Sequence, residues 1–178
     1  NRDASMSNMR NHPIEDIERD AGILIRDYDI RPDSGGPGQW RGGVGQQMCV
    51  EFLTEGSKVF ARGMERFRFP AWGVQGAAPA QPFRCIRNAG QADETELGKI
   101  NAVTLSRGET ITMMMPGAAG YGDPFLRDPE SVLADVVHGF VTVEGAARDY
   151  GVAVQGGQID DARTEALRSV GRKAAEPF

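Results

Sequence analysis

Between Arg31 and Gly45 the chain reads RPDSGGPGQWRGGVG, fifteen residues holding six glycines, two prolines, two arginines and a tryptophan. Nothing else in the sequence limits the fold as much. Neither a regular helix nor a strand runs through such a stretch, because glycine loses too much backbone freedom in either and proline removes a hydrogen-bond donor. A second punctuated stretch, PGAAGYGDP from Pro116 to Pro124, divides the chain again. The chain must therefore be built from short elements joined at two corners. A flexible linker is a poor reading of the first corner, since arginine, tryptophan and proline interrupt its glycines. A phosphate cradle is a poor reading too. Such a loop opens onto a helix N-terminus, often with a lysine, whereas a strand pattern comes next here and G-x-x-x-x-G-K-[ST] is missing. The stretch reads as a rigid corner in which glycines allow positive φ and close backbone approach, Arg31 and Arg41 fork onto Asp33 or a partner carboxylate, and Trp40 fills a pocket.

Ahead of the corner, Ala21 to Ile30 (AGILIRDYDI) alternates as a strand. After it, Met48, Val50 and Phe52 alternate with Gln47, Cys49 and Glu51, and a turn at Gly56 and Ser57 leads into SKVFARGMERFRF. This segment reads as the second arm of a hairpin, with Arg62, Arg66 and Arg68 sharing a face with Phe60 and Met64. Further strands are predicted at Phe83 to Arg87, Ile100 to Leu105 and Thr110 to Met115, with Ser106 to Glu109 turning between the last two. Past the second corner the pattern becomes helical. Asp128, Pro129 and Glu130 suit the N-cap and first two positions of a helix. That helix is predicted to run to His138, burying Val132, Leu133, Val136 and Val137, and to stop at Gly139. Thr142 caps a short helix through Tyr150, Gly151 stops it, VAV makes a brief strand, and Asp160 or Asp161 opens a last helix toward Arg172. The fold class is α+β: a β-rich body with strands over roughly 21–115, then a short helical C-terminal appendix. Three stretches organise the chain: a polar segment at 1–20 read as continuing from a longer chain, a β-rich region at 21–116, and a helical region at 117–178.

The net charge of −5 and pI near 5.1 argue against nucleic acid as a partner, for which a basic stripe is needed. No apolar run approaches the roughly 20 residues of a membrane span, and no basic start precedes an apolar segment; the expectation is a cytoplasmic protein without a membrane partner. Cys49 and Cys85 read as small core residues. The two histidines, His12 and His138, stand in no metal-binding spacing, so no metal site is assigned to this chain. His138 suits a helix C-terminus. His12, in RNHPIED beside Glu15 and Asp16, is the candidate base, with Glu15 orienting it as the second catalytic candidate. Ser34 lacks G-x-S-x-G flanks and reads as a turn serine. Met113 to Met115 read as strand core or an adaptable contact. In the second corner, Gly120 is expected to be left-handed, Tyr121 to offer a ring and a hydroxyl, and Asp123 with Pro124 to start a turn. Together with Arg31, Asp33, Trp40 and Arg41, Tyr121 and Asp123 form the candidate substrate or interface loop.

Four separated blocks carry a resemblance: SMSNMRNHPIEDIE, RPDSGGPGQWRGGVG, PAWGVQGAAP and MPGAAGYGDPFLRDPESVLADVVHGFVTVEGAARDYGV. In this order they resemble the C-terminal portion of the hydantoinase B/oxoprolinase family. The chain departs from the family's pattern at Gly117-Ala118-Ala119-Gly120, where a longer glycine run is usual, and at Asn11-His12-Pro13. The resemblance implies part of the B-type component of a multisubunit ATP-dependent enzyme that opens cyclic amides, hydantoin or 5-oxoproline in type, through a phosphorylated intermediate. The alternatives to it are a component of a related ATP-dependent ketone carboxylase or a non-catalytic structural or interface module of such a complex. It places ATP and Mg on an A-type subunit of actin-like fold, leaves room for a divalent metal in the upstream part of the B-type component, and names that subunit and the remainder of the B-type chain as partners in a hetero-oligomer. This chain alone is then inactive.

Overall fold

The computed structural model describes residues 12–60, 65–98 and 102–174. They form two compact units assembled from separated stretches of chain: 1–29, 46–69 and 83–115 make one, and 30–45, 70–82 and 116–178 the other. The architecture is α+β.

The first unit is built on a five-stranded sheet. Its strands are β1 (Ile23–Arg31, whose last two residues pass into the second unit), β2 (Gly45–Phe52), β4 (Arg84–Arg87), β5 (Thr95–Leu97) and β7 (Thr110–Met114), in the order β1-β2-β7-β4-β5. β7 lies between antiparallel partners on both sides, with Ile111 opposite Val50 on β2 and Arg87 on β4. Its alternation puts Ile111 and Met113 on the core face with Phe83, Cys85 and Leu105. Phe67 meets Phe83 edge to face, 4.6 Å between ring centroids. β1 is one of the two edges, and it carries charge: Arg26 pairs with Glu51 and Asp27 accepts from Gln47, which discourages further strand addition. The helix α1 (Ile14–Ala21) was not anticipated in the polar N-terminal segment; Glu15 and Asp16 occupy its first turn and Gly22 closes it at φ 61°.

The hairpin expected from Ser57 to Phe69 is a correction. Among the described residues of this stretch only β3 (Ser57–Val59) is a strand, and it pairs with β6 (Val103–Leu105), not with β2. Glu65–Phe67 is a 3₁₀ turn. β2 instead joins β1 and β7, because pairing with β7 closes Ile111 into the core. The places expected for Arg62, Met64 and Ile100 lie outside the described residues.

The second unit carries the helices: α2 (Pro129–Val137), α3 (Val143–Tyr150) and α4 (Asp161–Ala174), with a two-residue hairpin of β8 (Val154–Gln155) and β9 (Gln158–Ile159). Asp128 caps α2 and Thr142 caps α3 through side-chain acceptance of the N–H groups of Ser131 and Gly145, while Gly139 and Gly151 end these helices at positive φ. Val132, Val141, Ala146, Tyr150 and Val152 form its core. Val137, expected to be buried, is 72% exposed, since α2 turns only the Val132, Asp135 and Val136 stripe inward. Among the described residues no helix is long and apolar enough to cross a membrane.

Candidate functional site

The glycine-rich corner at 31–45 is ordered by backbone laid on backbone. Three segments of the second unit, 31–45, 70–82 and 116–123, exchange main-chain hydrogen bonds. Gly36 donates to Ala118, Trp40 and Tyr121 exchange a pair at 2.9 Å, Ala78 donates to Pro37, and Gly122 donates to Val74. Asp33 donates to Phe140 and Gly42 to Gly36. The approach is close enough that a single methyl has no room. A Cβ on Gly36 would stand 2.8 Å from Ala78 O and Gly120 N, and one on Gly42 or Gly120 would overlap the carbonyl of Ala118 or of Gly36.

Close backbone approach is what these glycines serve, and the positive φ expected of them is corrected. None of the six in the corner has positive φ, nor does Gly120. Gly35, Gly36, Gly38, Gly42 and Gly120 are required for proximity and not for a left-handed turn, since a Cβ on each would come within 3 Å of backbone. The positive φ in the first corner belongs to Asp33, at 55°, and in the second to Gly122, at 76°.

Asp33 is held there by its side chain, whose oxygens accept from Thr142 N at 2.9 Å and from Thr142 Oγ1 at 2.6 Å. Thr142 Oγ1 in turn accepts from Gly145 N, so Asp33 supports the cap of α3 and is not the partner of Arg41. Arg41 forks onto Asp135 of α2 at 2.9 and 3.1 Å and donates to Gly42 O. Its guanidinium lies 5.2 Å from the ring centroid of Phe140. Asp135 also receives Arg127 at 2.9 Å, while Arg127 donates to Gln39 O. Two guanidiniums thus share one carboxylate, all three side chains at most 15% exposed, with Arg127 Nε buried and without an acceptor. Arg31 is buried and donates to Pro82 O. Ser34, fully buried, donates to Arg31 O and accepts from Gly45 N, which makes it the turn serine of the sequence reading.

Asp123 accepts from Phe125 N and caps the 3₁₀ turn Pro124–Leu126. Trp40 and Tyr121 stand side by side through their bridge, but Trp40 fills no pocket: it is 66% exposed, and Tyr121 52%. His12 and Glu15 belong to the first unit, exposed at the start of α1, and among the described residues no hydrogen bond joins them. His12 lines a groove of about 220 Å³ with Ile14, Ile17, Ile25, Tyr28 and Met48.

Asp135 and Arg127 escaped the sequence reading. The available signal was a carboxylate on the inward stripe of an amphipathic helix, three residues after Val132, which demands a buried cation.

Chemically the site is a stiff platform. Backbone N–H groups of the corner at Asp33, Gly36, Gln39, Trp40, Gly42 and Gly45 are engaged inside the fold. Burial pushes the Cys85 thiol and the Tyr150 phenol up, keeping both protonated. Among the described residues no three His, Cys, Asp or Glu side chains gather as a metal-ligand set.

Comparison with known proteins gives a consistent set of likenesses. The family model described as Hydantoinase B/oxoprolinase matches residues 2–124. The chain is 35% identical over 171 residues to the B-type subunit of a putative D-/L-hydantoinase of Pseudomonas sp. (strain NS671), covering 94% of this chain and 28% of that one. It is 37% identical over 161 residues to the caprolactamase beta subunit of Pseudomonas jessenii, covering 88% and 28%. It is 29% identical over 168 residues to the acetophenone carboxylase delta subunit of Aromatoleum aromaticum (strain DSM 19018 / LMG 30748 / EbN1), covering 78% and 25%. Among solved structures, the ATP-dependent caprolactamase from P. jessenii superposes with a TM-score of 0.75 at 34% identity, covering 88% of this chain and 28% of that one. A nucleotide-free acetone carboxylase reaches 0.78 at 22% identity, covering 94% and 27%, a likeness of fold alone. The chain spans about a quarter of the length of these relatives.

Proposed function

The chain belongs to the hydantoinase B/oxoprolinase family, and from that membership we propose that it is part of the B-type component of a multisubunit, ATP-dependent enzyme that opens cyclic amides of the hydantoin, 5-oxoproline or lactam type. The observation that carries this reading is the likeness to the caprolactamase beta subunit, in sequence and in fold, across most of the chain. ATP and Mg sit on an A-type partner subunit in this reading, supported by the engagement of the corner's amides at Asp33, Gly36, Gln39, Trp40, Gly42 and Gly45 within the fold. Activation of the amide oxygen, and any divalent metal that assists it, then belong to parts of the complex outside this chain. The chain's own contribution is shape. Its buried arginines, Asp33, Ser34 and Asp123 are engaged in holding the platform, and it presents aromatic surface for assembly.

A related ketone carboxylase is the second reading, supported by the likeness to the acetophenone carboxylase delta subunit. Reconstitution separates the two. The assembled A-type and B-type components are expected to hydrolyse ATP in response to hydantoin, 5-oxoproline or caprolactam. Bicarbonate-dependent turnover of a ketone, without response to the amides, assigns the carboxylase reading, and response to neither class overturns both. The isolated chain is expected to show no ATP binding at micromolar concentration, measured by calorimetry.

A further inference from the structure

Both tryptophans of the chain are on its surface, and both belong to the corner unit. Trp40 is 66% exposed and Trp72 75% exposed. Tyr121 is bridged to Trp40 on one side and to Val74 on the other, and Val74, 46% exposed, follows Trp72 by two residues. Directly paired residues project their side chains to the same side of a sheet-like ribbon, so Trp40, Tyr121 and Val74 make one continuous apolar strip. The cost of leaving such a strip in water is high, and contiguous exposed apolar surface marks an interaction site. Tryptophan and tyrosine are also the residues that most often anchor interfaces, being large and rigid with a single polar handle each. Here the backbone beneath them is already fixed by the exchanged hydrogen bonds of the corner. Little ordering entropy remains to be lost on docking.

We propose that the Trp40, Tyr121 and Val74 strip, extended by Trp72, is the surface on which the remainder of the B-type chain docks. The proposal rests on the family reading above. Its occupant follows from the share of each relative that this chain spans: in both solved structures the same fold is 27–28% of one longer chain, so most of the polypeptide that must pack beside it lies outside these residues. The strip carries no charged side chain, and the docking face is therefore apolar, with acceptors at its margin for the indole N–H of Trp40 and the hydroxyl of Tyr121.

The test is hydroxyl-radical footprinting read peptide by peptide in a mass spectrometer. It compares the isolated chain with a chimera in which these residues replace the matching part of the P. jessenii caprolactamase beta subunit, the buried Tyr150 serving as the slow reference. The expected result is fast oxidation of Trp40, Trp72 and Tyr121 in the isolated chain and a several-fold slowing in the chimera. Unchanged rates overturn the proposal. If the chimera does not fold, sedimentation of the isolated chain decides: a monomer with a reactive strip upholds it. A dimer that Trp40→Ser converts to monomer shows that a second copy covers the strip and overturns it. A strip that stays reactive in a complex that opens cyclic amides removes this inference and leaves the proposed function standing.

Discussion

In the sheet unit the tightest contacts are side chain on side chain. Leu105, Ile111, Phe83 and Cys85 are enclosed by Phe52, Phe67, Met113 and their neighbours. In the corner unit the tightest contacts are main chain on main chain, with Gly35, Gly36, Gly38, Gly42, Gly117 and Gly120 at the closest approaches, and a buried Arg41–Asp135–Arg127 cluster pins α2 to the loops. The difference teaches where each unit tolerates change. A hydrophobic core repacks around a lost methyl at modest cost. A backbone crossing has no side-chain rotamer to move aside, and a buried cation pair without its carboxylate has nowhere to put its charge.

The largest effect should come from Asp135→Ala, which leaves two guanidiniums buried around no anion. A loss of about 3–5 kcal/mol is expected in urea unfolding, and a loss below that of an ordinary surface change would mean that the cluster hydrates freely. Gly42→Ala follows, at about 3 kcal/mol, the upper end of the overpacking range, because its Cβ meets the Ala118 carbonyl. Gly98→Ala, where a Cβ meets nothing within 4 Å, should stay within about 0.5 kcal/mol. Equal effects at the two glycines would erase the distinction between the units.

In the sheet unit Ile111→Val, at a residue 1% exposed, should cost about 1 kcal/mol by the same measurement. Thr142→Ala removes both the α3 cap and an anchor for Asp33, with an expected cost of about 1–2 kcal/mol.

The smallest effect is in pH. The N–H of Ser106, then Arg87, hold the Glu109 carboxyl below its ordinary range. Its stabilisation is complete above the unfolded carboxylate pKa and is lost as pH falls through the lower folded value. Glu109→Gln should therefore flatten the acid limb of a stability-against-pH curve and leave the neutral region's slope unchanged.

Local chemistry was legible in the sequence. Asp128-Pro129, Thr142 and Gly151 announce helix ends because a cap is decided within three residues. The strands at 23–31, 45–52, 84–87 and 110–114 show in their alternation. Pairing was not legible, since whether β2 meets β3 or β7 depends on which union buries Ile111, a contact between residues far apart in the chain. Arg41 in a glycine loop calls for a carboxylate, but the sequence does not point to its partner, which lies 94 residues away on α2. The glycines of the corner signal both positive φ and close approach, and only close approach holds: positive φ can be guessed from local turn chemistry, whereas the backbone that comes close belongs to segments arriving later in the chain, Ala78 to Ala80 and Gly117 to Tyr121.

The rigidity of that corner is most directly tested by native-state hydrogen exchange at the amides of Asp33, Gly36, Trp40, Gly42 and Tyr121, each of which has a main-chain acceptor within the unit. These amides lie outside helices and long strands, yet protection comparable to that of the β7 amides is expected, because opening any one of them requires the crossed segments to separate together. Exchange at the rate of an open loop, with β7 still protected, would contradict a corner built from backbone packed on backbone.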